Sequence, residues 1–103
     1  MNQYFQDQIN RNTITINLCG LFSTIGNTRS ISIPMQKTCS LKEIIENLDS
    51  SRLTGLKNAC IDESNKIRDS IYILLNGNVV IDGLNVPVEP GSTLTFMIAI
   101  SGG

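Results

Sequence analysis

Histidine and tryptophan are missing from this chain, and its 103 residues hold only two tyrosines and three phenylalanines. Without histidine, the usual base of a serine-hydrolase triad is absent. The three cysteines, Cys19, Cys39 and Cys60, form no CxxC pair. With no histidine to join them they build no common zinc site, so no metal site is expected. Three are also too few for the four-cysteine ligation of an iron–sulfur cluster. An odd count at wide spacing argues against a disulfide framework. A nucleophilic cysteine needs a neighbouring base or cation. Sequence neighbours offer at best Lys37 near Cys39 and Lys57 near Cys60, so the thiols read as packed or incidental.

Charge of either sign is scarce. Eight Lys and Arg stand against nine Asp and Glu, for a net charge of −1. There is no basic run, which argues against nucleic acid or an anionic membrane as partner. Beyond Arg68 there is no Lys or Arg at all, while Asp69, Asp82 and Glu89 remain. Asp82 and Glu89 read as solvated loop acids. No apolar run approaches the roughly 18 residues of a membrane span. The opening Met1-Asn2-Gln3-Tyr4-Phe5-Gln6-Asp7 lacks the basic and apolar regions of a signal peptide. A cytoplasmic protein is expected. At 41% apolar and 17% charged, the composition suits an ordered domain. A single domain of this size buries roughly 60–70% of its unfolded surface.

Residues 1–12 are polar and aperiodic and read as a poorly ordered lead-in. Ile14, Ile16 and Leu18 then alternate with Thr13, Thr15 and Asn17, the period of a half-buried strand, and Leu21 and Phe22 extend its apolar character. Gly26-Asn27 marks a turn. Ile31, Ile33 and Met35 alternate with Ser30 and Ser32. Pro34 has no N–H for a ladder, which places this strand at a sheet edge or near its end. A hairpin around residues 23–29 is expected. Leu41, Ile44, Ile45 and Leu48 lie on one helical face, and Ser40 with Glu43 makes a capping box. Leu53, Leu56 and Ala59 allow one more helical turn. Ile71-Tyr72-Ile73-Leu74-Leu75 and Val79-Val80-Ile81 flank Asn76-Gly77, a strong hairpin signal. Val86-Pro87-Val88 reads as a connector. The last strand, from Thr93 to Ile100, puts Leu94, Phe96, Ile98 and Ile100 on one face and Thr93, Thr95, Met97 and Ala99 on the other.

This order predicts an α+β fold of β-grasp (ubiquitin-like) type, a mixed sheet of four to five strands packed on one main helix. The expected organisation is a lead-in over 1–12, a domain over 13–100 and a flexible tail over 101–103. The chain runs from an apolar strand through Ser101 into Gly102-Gly103. A chance pair and a working tail are the two readings. Glycine has no Cβ and few limits on φ, so two in succession make a thin arm with an unhindered carbonyl. Such an arm gains affinity from the body that carries it. An exposed apolar patch is therefore expected, with Met97 at its centre and Phe22 or Leu84 nearby. Strand-face parity leaves open whether Met97 is exposed or packed.

Ile73-Leu74-Leu75-Asn76-Gly77, Asp82-Gly83-Leu84, Val88-Glu89-Pro90-Gly91-Ser92-Thr93-Leu94 and the final Gly102-Gly103 together resemble the MoaD/ThiS family of ubiquitin-like sulfur carriers. The resemblance spans about residues 13–103. It departs at Pro90-Gly91-Ser92, where the MoaD-like branch has an acidic-Gly-acidic turn, and at Met97-Ile98-Ala99, where that branch has an aromatic and two prolines. The MoaD-like branch, the small subunit of molybdopterin synthase, is favoured. The resemblance implies a carrier rather than an enzyme, with no bound cofactor. Its Gly103 carboxylate would be adenylated at the expense of ATP by a partner enzyme and converted to a thiocarboxylate. The implied partners are that adenylating enzyme, a sulfur donor protein, and a larger synthase subunit or other sulfur-accepting enzyme. Gly102 and Gly103 would carry the chemistry, and Met97, Phe22, Leu84 and Ser101 the docking. Thiamin or cysteine synthesis, and conjugation of Gly103 to lysines, are the active alternatives. A β-grasp adaptor with an inert tail is the third.

Overall fold

Alternation at Thr13 dictates the first element. The structure, a computed structural model, describes residues 12–99. Strand β1 (Thr13–Leu18) buries Ile14, Ile16 and Leu18 and leaves Thr13, Thr15 and Asn17 half-buried on its other face. Strand β2 (Ser30–Pro34) returns antiparallel, with Ile14 opposite Ile33 and Ile16 opposite Ile31. The connection is not the simple hairpin expected. Gly20, at φ +60°, turns the chain into a single helical turn, α1 (Phe22–Ile25). The Ser23 and Thr24 hydroxyls donate back to the carbonyls of Gly20 and Leu21.

The main helix, α2 (Leu41–Ser51), starts where the capping box predicts. The Ser40 hydroxyl accepts from the Glu43 N–H at 3.1 Å, and the Glu43 carboxylate accepts from the Ser40 N–H at 3.0 Å. Two further donors of the first turn are met from a distance. Leu41 N–H donates to the Val86 carbonyl at 3.0 Å and Lys42 N–H to the Leu84 carbonyl at 2.9 Å. All three helical N–H groups from Leu41 to Glu43 thus find partners. The segment read as a connector does more than connect. Its β6 (Pro87–Val88) pairs antiparallel with β3 (Cys39–Ser40), and that two-stranded ladder holds the helix start.

Bonds from the Ser40 N–H and hydroxyl hold the Glu43 carboxyl below its ordinary range, with Lys37 adding to the effect. Because the folded value is depressed, this contribution to stability is present above the unfolded pKa and is lost as pH falls through the folded one. Ser40→Ala is expected to cost about 1 kcal/mol. The check is a lower urea midpoint with an unchanged slope.

The short helix α3 (Leu56–Cys60) follows Gly55 at φ +101°, with the Asp49 carboxylate accepting from the Gly55 and Lys57 N–H groups. Strands β4 (Ile71–Leu75) and β5 (Asn78–Val79) form the expected hairpin. Asn76 and Gly77 both take positive φ, 52° and 88°, as a type I′ turn demands. Asn76 also ties the hairpin to the last strand: its Oδ1 accepts from the Thr93 N–H at 2.8 Å. β5 stops short of expectation, and Ile81 lies 86% exposed beyond it.

Strand β7 (Thr93–Ile98) lies parallel to β1 and antiparallel to β4. The five-stranded sheet runs β2-β1-β7-β4-β5, which puts β2, with Pro34, at the edge as expected. Leu41, Ile44, Ile45 and Leu48 of α2 share one core with Ile14, Ile16, Ile73, Leu94 and Phe96 of the sheet. One main helix across one face of a mixed sheet is the β-grasp architecture. Among the described residues no helix is long and apolar enough to cross a membrane.

Candidate functional site

The parallel pairing of β1 and β7 sends the C-terminal ends of both strands to the same end of the sheet. There Cys19 N–H donates to the Phe96 carbonyl at 3.0 Å, and Ala99 N–H donates to the Ser70 carbonyl at 2.8 Å. The described body ends at this rim. Ile100, Ser101, Gly102 and Gly103 lie outside the described residues, as do residues 1–11 of the lead-in. Gly102 and Gly103, expected to carry the chemistry, and Ser101, expected at the docking, therefore follow β7 in sequence and lie outside the described residues.

Two apolar side chains stand at that rim, Leu21 at 71% exposure and Ile98 at 38%. With Phe22, Ile25, Ala59 and Ile71 they line a shallow recess of about 220 Å³. Ile98 has the inward parity of Leu94 and Phe96, yet it runs past the covered part of the core and is exposed. Phe22 corrects an expectation. It is 2% exposed, and its ring lies 5.9 Å from that of Phe96. The turn of α1 swings it inward, so it supports the recess from beneath.

The outer face of the sheet divides by chemistry. On β1 and β2 it carries Thr13, Thr15, Asn17, Ser30 and Ser32, and Ser30 donates a hydrogen bond to Asn17 at 3.1 Å. On β4, β5 and β7 it carries Tyr72, Leu74, Val79 and Met97, with Thr93 and Thr95 of β7 between them and β1. Met97 faces Tyr72 across the β4–β7 ladder, and Val79 faces Leu74 across β4–β5. Met97 and Leu74 are half-buried, while Tyr72 and Val79 are 45% and 46% exposed. Leu84 does not belong to this patch. It is 6% exposed, because the Lys42 N–H bond to its carbonyl draws its loop against the start of α2. Tyr72 and Val79 were not expected at the site. The signal was available: Tyr72 alternates with Ile71 and Ile73, so inward isoleucines put the tyrosine outward.

At this end stands Cys19, with no histidine in the chain to activate its thiol. Cys60 is buried, and burial pushes its thiol up to about 12 against the opposing charge of Arg68. It is a packed core atom rather than a nucleophile. Cys39 is half-buried, its thiol 3.6 Å from the Lys37 carbonyl, and Cys19 is exposed. No group of three or more His, Cys, Asp or Glu side chains arranged to hold a metal occurs among the described residues. The geometry offers a partly exposed apolar face and a strand, β7, that continues in sequence into residues 100–103.

The sequence matches no protein-family model and no curated protein. Solved structures do match. A chain of the Amycolatopsis orientalis BexX/CysO complex is similar with a TM-score of 0.73 and 28% identity, over 87% of this chain and 99% of that one. Urm1 from Trypanosoma brucei is similar with a TM-score of 0.73 and 18% identity, over 89% of this chain and 96% of its own. A Pyrococcus furiosus protein named for subunit 1 of molybdopterin converting factor is similar with a TM-score of 0.64 and 14% identity, over 85% of this chain and 98% of its own. These neighbours are MoaD/ThiS-like, ubiquitin-like proteins, the kind that the sequence resemblance named.

Proposed function

We propose that this chain is a sulfur carrier that works through the carboxylate of Gly103. One observation carries the reading. A β-grasp body, similar to the BexX/CysO chain over nearly all of that chain, leads from its central strand β7 into Ile100-Ser101-Gly102-Gly103. In the proposed sequence a Gly103 carboxylate oxygen attacks the α-phosphorus of ATP in a partner enzyme and pyrophosphate leaves. A sulfide-level nucleophile then adds to the acyl-adenylate carbonyl and expels AMP, leaving a thiocarboxylate. The chain is thus a co-substrate. Its body gives binding energy, and the partner sites position and polarise the tail. A cytoplasmic setting fits the nucleotide and sulfur donor the scheme needs. We assign molybdopterin synthesis as the pathway, with a larger synthase subunit as sulfur acceptor. The similarity to the Pyrococcus furiosus protein is in keeping with this branch.

Intact-mass measurement on protein from its native cell tests the proposal and identifies the true C-terminal residue at once. The expected result is a species heavier by the exchange of one oxygen for one sulfur, with the change mapped to Gly103. Gly103 recovered in isopeptide links to lysine would replace the carrier with a protein modifier. Unaltered protein beside a working adenylating enzyme would leave an adaptor with an inert tail.

A further inference from the structure

A recess of about 480 Å³ opens between β2 and α2. Ile14, Ile33, Pro34, Met35 and Ile44 give it an apolar lining, and Cys39 stands among them. Ile14, Met35 and Ile44 are buried, while Ile33 and Cys39 are half-buried. Lys37 is the one charge among the described residues that line the recess, and no ion pair with Lys37 occurs among the described residues. The described chain begins beside this recess. Met35 N–H donates to the Asn12 carbonyl at 2.9 Å, one step beyond the Thr13–Pro34 end of the β1–β2 ladder. Eleven residues precede Asn12, and Tyr4, Phe5 and Ile9 are among them.

We propose that the lead-in folds back on its own domain and seats Phe5 in the β2–α2 recess, with Ile9 nearer the mouth. This departs from the poorly ordered lead-in expected from the sequence. Reach allows it. Ile9 is three residues from Asn12 and Phe5 is seven, which span up to about 10 Å and about 24 Å of extended chain. Charge fits as well: Asp7 lies between the two apolar residues, and Lys37 is the cation of the lining. Seating Phe5 there removes apolar surface of its ring and of Ile33 from water together. Pro34 blunts the β2 edge, having no N–H for a ladder, so the lead-in is not drawn off as a further strand. Ordering the segment costs backbone freedom, and few apolar side chains offset that cost. The docked lead-in therefore exchanges with a released one, as a weak latch. The recess lies at the Thr13 end of β1, and the Ala99 rim lies at the other end of the sheet, so the latch leaves that rim clear.

Cys39 reports on the recess, and the exposed Cys19, at the other end of β1, is an internal control. Initial rates of alkylation by iodoacetamide, mapped to each cysteine by peptide mass, compare the full-length wild type with Phe5→Ser. A latch closed at least half of the time shields Cys39 by at least about twofold. Phe5→Ser should release that shielding and leave the Cys19 rate unchanged. Asp7→Lys, which sets two cations together, should release it too. In the wild type the Phe5 ring should show nuclear Overhauser contacts to the methyl groups of Ile33 and Ile44. Equal Cys39 rates in the wild type and Phe5→Ser overturn the proposal. So does shielding that fades on dilution, in favour of lead-ins exchanged between two copies. Phe5 contacts to Tyr72 and Val79 instead also overturn it, and put the lead-in on the outer face of the sheet.

Discussion

Deleting Gly103 is expected to abolish activation of the chain while leaving its thermal unfolding where it was. The deletion draws the terminal carboxylate back by about 3.8 Å, one trans peptide step. A misplacement of about 1 Å at a reacting centre already costs on the order of a hundredfold in rate. ATP–pyrophosphate exchange by the adenylating partner should therefore fall at least that far. The deleted residue has no side chain to bury, so the unfolding free energy should stay within about 0.5 kcal/mol, as for other surface changes. Gly102→Ala separates reach from bulk. It keeps the carboxylate at its full distance and places a Cβ on the arm, which restricts φ and thickens the segment that must enter the partner. A loss of exchange in both variants with unchanged binding of the body supports the tail as the reacting group. Full exchange in the deletion variant removes Gly103 from the mechanism.

Elements whose cause is local could be read in the sequence. Ser40 and Glu43 satisfy each other within one turn, and the helix begins there. Asn76-Gly77 provides the two positive φ values of its hairpin, and Pro34 marks an edge because it lacks a donor. What escaped depends on contacts far along the chain. Leu84 is buried because its carbonyl receives an N–H from Lys42, and Pro87–Val88 is a strand because Cys39–Ser40 lies beside it. Phe22 sits in a four-residue helix, too short to show a period of 3.6, and it looked like the continuation of a strand. The site was legible to the same degree. The glycine pair is a local signal. The apolar part of the outer face is assembled from three strands, so Met97 was an expectation while Tyr72 and Val79 beside it were not.

Phe22 and Met97 were alike as candidates in the sequence, and their substitutions should now act in opposite ways. Phe22→Ala removes a side chain 2% exposed and packed on Phe96. A loss of about 3–5 kcal/mol is expected from the lost transfer energy and the cavity left behind. That is a large share of the 5–15 kcal/mol that holds an ordinary domain. At about 4–8 °C per kcal/mol for a domain of this size, the midpoint should drop by more than 10 °C. Met97→Glu acts on the outer face, opposite the part-exposed Tyr72. Its carboxylate can reach water, so the midpoint should move by only a few degrees. Docking on the Tyr72–Val79 face would then require burying a charge, and affinity for the adenylating partner should fall by about 2 kcal/mol or more, the scale of an interface hot spot. Calorimetry paired with binding measurements on the two variants reads both effects. A Phe22→Ala protein as stable as the wild type would take Phe22 out of the core, and a Met97→Glu protein that unfolds would place Met97 in it. A stable Met97→Glu variant with undiminished affinity would move the docking face to the recess lined by Leu21 and Ile98, whose exposure at the Ala99 end makes it the next apolar surface available.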